Sequence, residues 1–169
     1  MRNLKLFLLP LTAALLFAGC GVYSFSGISI SPEVKSFEVR QFTNEALTVI
    51  PGLDRDFTVL LQDFILNQTN LNLVTKNGDI VYEGEIINYF EAPQTSVADN
   101  QAAENRLTIG VRLRYFDTTN EENDLEQTFS FFFDFPANEV LAGDTQDIAH
   151  ETIFERITQD IVNATLAKW

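Results

Sequence analysis

The chain has 169 residues, with 24 Asp and Glu against 11 Lys and Arg, so its net charge at neutral pH is −13. Nucleic-acid binding requires clustered cations, so this acidity argues against nucleic acid as a partner. Cys20 is the only cysteine. The chain therefore has neither an internal disulfide nor enough thiolate ligands for a structural metal site.

Residues 1–19 have the pattern of a bacterial lipoprotein signal. Two cations precede an apolar run over residues 6–18, and Gly19 comes directly before Cys20. The run is shorter than the roughly 20 residues of a membrane-spanning helix. We predict cleavage after Gly19 and thioether lipidation of Cys20. The alternative is an ordinary secretory signal with a buried cysteine nearby.

Removal of residues 1–19 changes the net charge to −15 and leaves enough chain for one domain with its own core, predicted over residues 32–169. Residues 20–31 form the lipid-anchored N-terminal segment, which is too apolar for a free tether. Gly21 stands where an inner-membrane retention signal has Asp. We therefore expect the protein on the periplasmic side of an outer membrane, anchored through acyl chains on Cys20.

Apolar residues at helical spacing predict two amphipathic helices. The first runs from Asp54 to Gln68, with Asp54 as its N-cap. The second runs from Asp147 to Lys168. The predicted apolar stripe of the second helix consists of Ile148, Ile153, Phe154, Ile157, Ile161, Val162 and Trp169.

Alternating apolar and polar residues predict five strands, over residues 34–42, 71–75, 80–90, 107–115 and 127–135. Asn77-Gly78 predicts a hairpin between the second and third of these strands. The predicted fold class is α+β. Two amphipathic helices pack on one face of a four- to five-stranded sheet that is mostly antiparallel or mixed.

One register satisfies both faces of the predicted hairpin between the third and fourth strands. On the apolar face, Tyr82 opposes Tyr115, Ile86 opposes Val111 and Phe90 opposes Leu107. On the polar face, Glu83 opposes Arg114, Glu85 opposes Arg112 and Glu91 opposes Arg106.

No residue set predicts catalysis. His150 is the only histidine and has no convincing nucleophile near it, so we predict no enzymatic activity and no cofactor. The acidic residues 117–124 lack the ligand spacing of a calcium loop, which favours a solvated hairpin tip over a metal site. Asp117-Thr118-Thr119 fits a short O-glycosylation pattern, but a match of three residues alone does not predict glycosylation.

Three arginines on one strand, Arg106, Arg112 and Arg114, are the candidate contacts to an anionic group. Their alternative role is to pair with the opposing glutamates, and a surface pair of that kind contributes little to stability. Of the three, Arg106 is the least restricted to pairing with a glutamate, because it lies beside the polar loop 92–105. That loop is either a plain connection or a tip that contacts a partner.

Five short sequences occur in this order along the chain: Cys20-Gly-Val-Tyr-Ser-Phe-Ser-Gly27, Ile30-Ser-Pro-Glu33, Gln68-Thr-Asn-Leu-Asn-Leu-Val74, Gly78-Asp-Ile-Val-Tyr-Glu-Gly-Glu-Ile86 and Asn105-Arg-Leu-Thr-Ile109. Together they resemble the Bacteroidetes-type branch of the LptE family, the lipopolysaccharide-assembly lipoproteins. None of these is a catalytic motif, so the resemblance rests on their combination and order.

The resemblance implies a non-enzymatic domain that plugs an LptD-type outer-membrane β-barrel and assists its assembly. It also implies a role in lipopolysaccharide transfer to the cell surface. Basic residues near a strand–loop tip would contact lipopolysaccharide, which makes Arg106 the counterpart by position, with Arg112 and Arg114 behind it. The alternative is a periplasmic binding or scaffolding lipoprotein of another envelope complex.

Overall fold

A computed structural model describes residues 30–94 and 103–167. The predicted signal, Cys20, most of the segment 20–31, the loop residues 95–102 and Trp169 lie outside this part of the chain. The elements, in order, are β1 (Ser36–Val39), β2 (Thr43–Asn44), α1 (Leu53–Gln68), β3 (Asn72–Leu73), β4 (Ile80–Gln94), β5 (Glu104–Asp117), β6 (Leu125–Pro136) and α2 (Asp144–Leu166). No helix within the described ranges is long and apolar enough to cross a membrane.

The strands form one mixed sheet in the order β3-β1-β4-β5-β6, with β2 pairing β4 just beyond β1. The short strands β1, β2 and β3 pair in parallel, whereas β4, β5 and β6 form a long antiparallel meander. The predicted α+β class with two helices on a sheet is confirmed. The sheet has six strands among the described residues, more than the four to five predicted.

The core lies between the helices and one face of the sheet. Phe57 of α1 is fully buried, and its ring makes edge contacts with Phe42 and with Phe154 of α2, each at 5.0 Å between ring centroids. Burial of one such side chain stabilises the fold by about 1.5–3 kcal/mol. Among the described residues of the predicted α2 stripe, Ile148 is the exception, because it is 53% exposed while Ala149 and Ile153 occupy the buried side of that turn.

The first helix begins at a glycine and not at the predicted Asp54 cap. Gly52 is the N-cap residue, with a φ of 84°, and no side chain caps the helix. A left-handed φ of this kind is far more accessible to glycine than to a residue with a Cβ. Asp54 lies in the first turn instead, where its charge still complements the positive helix end.

The predicted strand 34–42 is divided in two. After Val39 the backbone leaves the ladder, and the Phe42 N–H donates a hydrogen bond to Thr58 Oγ1 of α1 at 3.1 Å. This turn places the Phe42 ring in the core. The chain then rejoins the sheet as β2, which pairs with β4 at Glu85 and Ile86.

The predicted hairpin at Asn77-Gly78 is wrong, because β1 lies between β3 and β4 and runs parallel to both. The segment that joins β3 to β4 passes against β1, and a Cβ on Gly78 would lie 2.6 Å from the Glu38 nitrogen. Asn77 has the positive φ of 58° that made Asn-Gly resemble a hairpin turn. The predicted turn is present, but it is part of a tight crossover connection from β3 past β1 to β4.

The predicted β4–β5 register is confirmed up to Ile86 and wrong beyond it. Tyr82 opposes Tyr115, and Ile86 opposes Val111. A bulge at Ile87 then shifts the ladder by one residue, so Phe90 opposes Thr108 and Glu91 opposes Leu107. Arg106 consequently faces Ala92 and not the predicted Glu91.

Candidate functional site

The outer face of the sheet, away from the helices, carries an aromatic and charged cluster towards the end where β4 ends and β5 begins. Tyr89 contacts α2, so the alternation of the strand directs Phe90 to the outer face. The register aligns Phe90 with Thr108 and then with Phe132 across three strands. We call Phe90, Arg106, Phe132 and Asp134 the outer-face patch.

Arg106 is held in this patch by two neighbours on β6. Its Nε and Nη2 donate hydrogen bonds to the two carboxylate oxygens of Asp134, at 2.6 and 2.7 Å. Its guanidinium carbon lies 3.6 Å from the centroid of the Phe132 ring. A planar guanidinium can make both contacts at once, whereas a lysine ammonium cannot.

The patch combines apolar surface with charge. Phe90 is 63% exposed and Phe132 is 40% exposed. The hydrogen bonds from Arg106 lower the pKa of Asp134, and the same pairing raises the pKa of Arg106. Both groups are therefore charged at neutral pH. An incoming anion would have to share or displace the Asp134 carboxylate to bind Arg106.

Arg112 and Arg114 lie farther along β5 within an ion-pair network. Arg112 bonds to Glu85 at 3.0 Å, and Arg114 bonds to both Glu83 and Glu85 at 3.0 Å. Arg40 of the β1–β2 connection joins the network through Glu38 and Glu83. Burial alone would raise the pKa of Glu83, but hydrogen bonds from Arg114 and Arg40 lower it below its ordinary value. All three candidate arginines are thus ion-paired, Arg106 with Asp134 and the other two with Glu83 and Glu85.

The sequence predictions located the arginines but missed most of the patch. Pairing Arg106 with Glu91 overlooked Asp134, which directly opposes Arg106 in the β5–β6 register. Phe132 and Asp134 alternate along the strand with Phe131 and Phe133, and that alternation was the available signal. Phe90 was assigned to the buried face, because the bulge at Ile87 cannot be seen in an alternating pattern.

His150 lies on the helix side of the same end of the sheet. Its Nε2 is 3.0 Å from the Tyr89 hydroxyl, which also accepts a hydrogen bond from Gln146 at 3.2 Å. The ring stacks on Phe154 at 6.1 Å between centroids. Burial lowers the pKa of His150 despite the nearby Asp147 and Asp56, which act to raise it. The contacts define a packing role between α2 and β4.

Asp117 organises the acidic turn between β5 and β6. It is 3% exposed and accepts hydrogen bonds from the Thr119 and Asn120 backbones and from the Thr119 and Asn123 side chains. Burial alone would raise its pKa, but these donors lower it below the ordinary value. Its carboxylate thus has the acceptor role of a turn-forming residue.

The observations so far define an α+β domain with two helices on one face of a mixed sheet and an arginine–aromatic patch on the other face. The LptE family, described as lipopolysaccharide-assembly, matches residues 34–165. The chain therefore belongs to the LptE family, a non-enzymatic family of lipopolysaccharide-assembly lipoproteins.

Two solved structures share the fold at low sequence identity. The hypothetical protein CT253 from Chlamydia trachomatis is 10% identical with a TM-score of 0.55, and the alignment covers 80% of this chain and 99% of that one. An uncharacterized lipoprotein B from Nitrosomonas europaea is 14% identical with a TM-score of 0.51, covering 85% and 88% of the two chains. No curated protein matches the chain.

Proposed function

We propose that the protein is an outer-membrane lipoprotein, lipidated at Cys20, that plugs an LptD-type β-barrel and aids transfer of lipopolysaccharide to the cell surface. The match of residues 34–165 to the LptE family carries this proposal. In the same proposal, residues 32–169 form a single domain on the periplasmic side of the membrane, and residues 20–31 link it to the lipid anchor.

Within this function, Arg106 is the proposed contact to an anionic group of lipopolysaccharide. Its guanidinium lies over the exposed Phe132 ring, and the exposed Phe90 lies on the same face of the sheet, so one patch offers a cation and apolar surface together. Lipopolysaccharide has both phosphate and acyl groups, which match these two properties. Arg112 and Arg114 are proposed as secondary contacts, because they lie farther along β5, away from Phe132.

The barrel partnership is tested by purifying the full-length lipoprotein from its native outer membrane in mild detergent, with mass spectrometry of the co-purifying chains. A stoichiometric LptD-type barrel is the expected result. Recovery with a different envelope complex would overturn the plug proposal in favour of a scaffolding lipoprotein. Cys20→Ala should release the protein from the membrane fraction, and retention there would contradict lipid anchoring at Cys20.

The lipopolysaccharide contact is tested by photo-crosslinking from an unnatural residue at Thr108, which lies between Phe90 and Phe132. Arg106→Glu should reduce crosslinking to lipopolysaccharide by about tenfold, since the charge reversal repels phosphate. Arg55→Glu is the matched control, because Arg55 is an exposed cation in the first turn of α1, on the helix side of the sheet. Equal crosslinking by the wild type and a folded Arg106→Glu variant would remove Arg106 from the proposed site.

A further inference from the structure

The edge of the sheet at β6 is long and regular. Within residues 30–94 and 103–167, β6 pairs only with β5, and the pairing continues over twelve residue pairs without a register shift. Such an edge leaves a row of backbone donors and acceptors without strand partners, which is a template for an added strand.

One hydrogen bond identifies which backbone groups of β6 point outward. The Ala137 N–H donates to the Ala103 carbonyl at 2.9 Å, and these two residues continue the β5–β6 register. Hydrogen-bonded and non-hydrogen-bonded pairs alternate in an antiparallel ladder. The odd-numbered residues of β6 therefore bond to β5, and the even-numbered residues direct their N–H and C=O groups away from it. The outward donors are those of Glu126, Thr128, Ser130, Phe132 and Asp134.

The other described edges have features that oppose strand addition. The β3 edge is two residues long. The side of β4 that faces away from β5 has no strand partner among the described residues beyond Ile86, and it begins at the bulge. It also contains Pro93. The alternation of the ladder directs the backbone of residue 93 away from β5, and a proline has no N–H to donate there. In β6 the only proline is Pro136, at the end of the strand. Bulges, prolines and short edges are the usual protections against pairing, and β6 lacks them over residues 125–135.

The charges of β6 indicate what kind of strand fits there. Glu126 and Asp134 are its only charged residues, and both belong to the outer face. A second copy of this chain that paired β6 against β6 in full antiparallel overlap would place Glu126 opposite Asp134. Like charges in direct opposition destabilise a sheet. A strand with a basic side chain opposite Glu126 is complementary instead, since Asp134 already pairs with Arg106.

The helix side of the same edge combines two aromatic rings with polar side chains. A depression of about 530 Å³ lies beside β6 and is bounded by Phe131, by Phe64 and Gln68 of α1 and by Thr152, Glu155, Arg156 and Gln159 of α2. Side chains of an added strand alternate between the two sides of the sheet. Those on the helix side would reach this depression, where apolar residues can contact the Phe131 and Phe64 rings.

We propose that β6 pairs edge to edge with an extended segment of a partner protein that carries basic and apolar side chains at alternate positions. This interaction goes beyond the proposed function, because the wall of a closed barrel has no free strand edge. The segment would come from a loop or a terminus that lies outside such a wall.

The test uses the full-length lipoprotein in detergent and a synthetic peptide of the length of β6 that alternates Lys with Val. Amide hydrogen exchange should show the even-numbered N–H groups from 126 to 134 exchanging rapidly alone and becoming protected when the peptide is added. A matched peptide that alternates Glu with Val should bind at least about tenfold more weakly. Protection confined to other strands, or equal binding of the two peptides, would overturn the proposal.

A variant isolates the backbone contribution. Ser130→Pro removes one outward donor while the β5–β6 bonds of its neighbours remain, so it should weaken binding of the Lys peptide by about tenfold. Ser130→Ala keeps the donor and should bind as the wild type does. Equal binding by Ser130→Pro and Ser130→Ala would overturn the proposal. Protection of the even-numbered amides without peptide would also overturn the proposal. Protection that depends on protein concentration would mean that a second copy covers β6, and protection that does not would mean that a segment of this chain covers it.

Discussion

Gly84 of β4 lies directly against the backbone carbonyl of Arg112 on β5. A Cβ on residue 84 would overlap that oxygen and would lie 2.8 Å from Cε1 of the Phe42 ring. Phe42 is fully buried and contacts Phe57 of α1. The absence of a side chain at position 84 thus allows the core to pack closely on the β4–β5 hairpin, which carries the candidate arginines.

Gly84→Ala should lower the free energy of unfolding by about 2–3 kcal/mol, because backbone and a core ring must both move. Urea unfolding measures this change. Gly110→Ala is the matched control in the same hairpin, where the three atoms nearest to a Cβ belong to the Asn88 side chain, at 3.2 to 3.7 Å. These distances are longer than those at position 84, so the control should lose clearly less stability. Equal losses would contradict the close-packing explanation.

Arg106→Gln should raise the pKa of Asp134 towards its ordinary value. The Arg106 guanidinium forms both hydrogen bonds to this carboxylate and is the main cause of its lowered pKa. A carboxyl carbon NMR titration measures the change directly. Arg112→Gln, on the same strand but paired with Glu85, should leave the Asp134 pKa unaltered. An unchanged pKa in Arg106→Gln would mean that the pair does not form in solution.

The sequence predicted those parts of the fold that depend on local periodicity. Both helices and the three long strands follow from spacing alone, and the β4–β5 register up to Ile86 follows from residue types on two faces. The parallel pairing of β1 with β3 and β4 could not be predicted, because it depends on long-range packing around Gly78. The bulge at Ile87 likewise inserts one residue without any change in composition.

The same distinction explains the site. The arginine stripe was evident in alternation, and Arg112 and Arg114 pair with the glutamates that the register assigned to them. Arg106 lies past the bulge, so its partner could not be deduced from the first hairpin. Asp134 becomes its partner only when β6 is aligned with β5. Because of this one-residue shift, Arg106 pairs with Asp134 on β6 and not with the predicted Glu91 on β4.

Asp117→Asn should lower the free energy of unfolding by about 1–3 kcal/mol at neutral pH. An amide at this position cannot accept from all four donors and would direct an N–H₂ group at one of them. The folded-state pKa of Asp117 is lowered, so its stabilisation is present above the unfolded value of about 3.9 and is lost as the pH falls through the folded value. Thermal unfolding at pH 7 and at low pH measures both effects. Glu121→Gln, an exposed change in the same turn, is the control and should have little effect at pH 7.

His150, which packs between β4 and α2, should make the free energy of unfolding depend on pH. Its folded-state pKa is lowered by burial, so the unfolded chain binds the proton more readily than the folded one does. The stabilisation is therefore complete above the unfolded pKa of about 6.5, and it declines as the pH falls from there to the folded value. His150→Gln keeps a polar partner for the Tyr89 hydroxyl but does not titrate. The difference in unfolding free energy between wild type and variant, measured from about pH 7.5 down to about pH 5, should shift against the wild type on acidification. A difference that stays constant over this range would show that His150 remains as accessible to protons in the folded protein as in the unfolded chain.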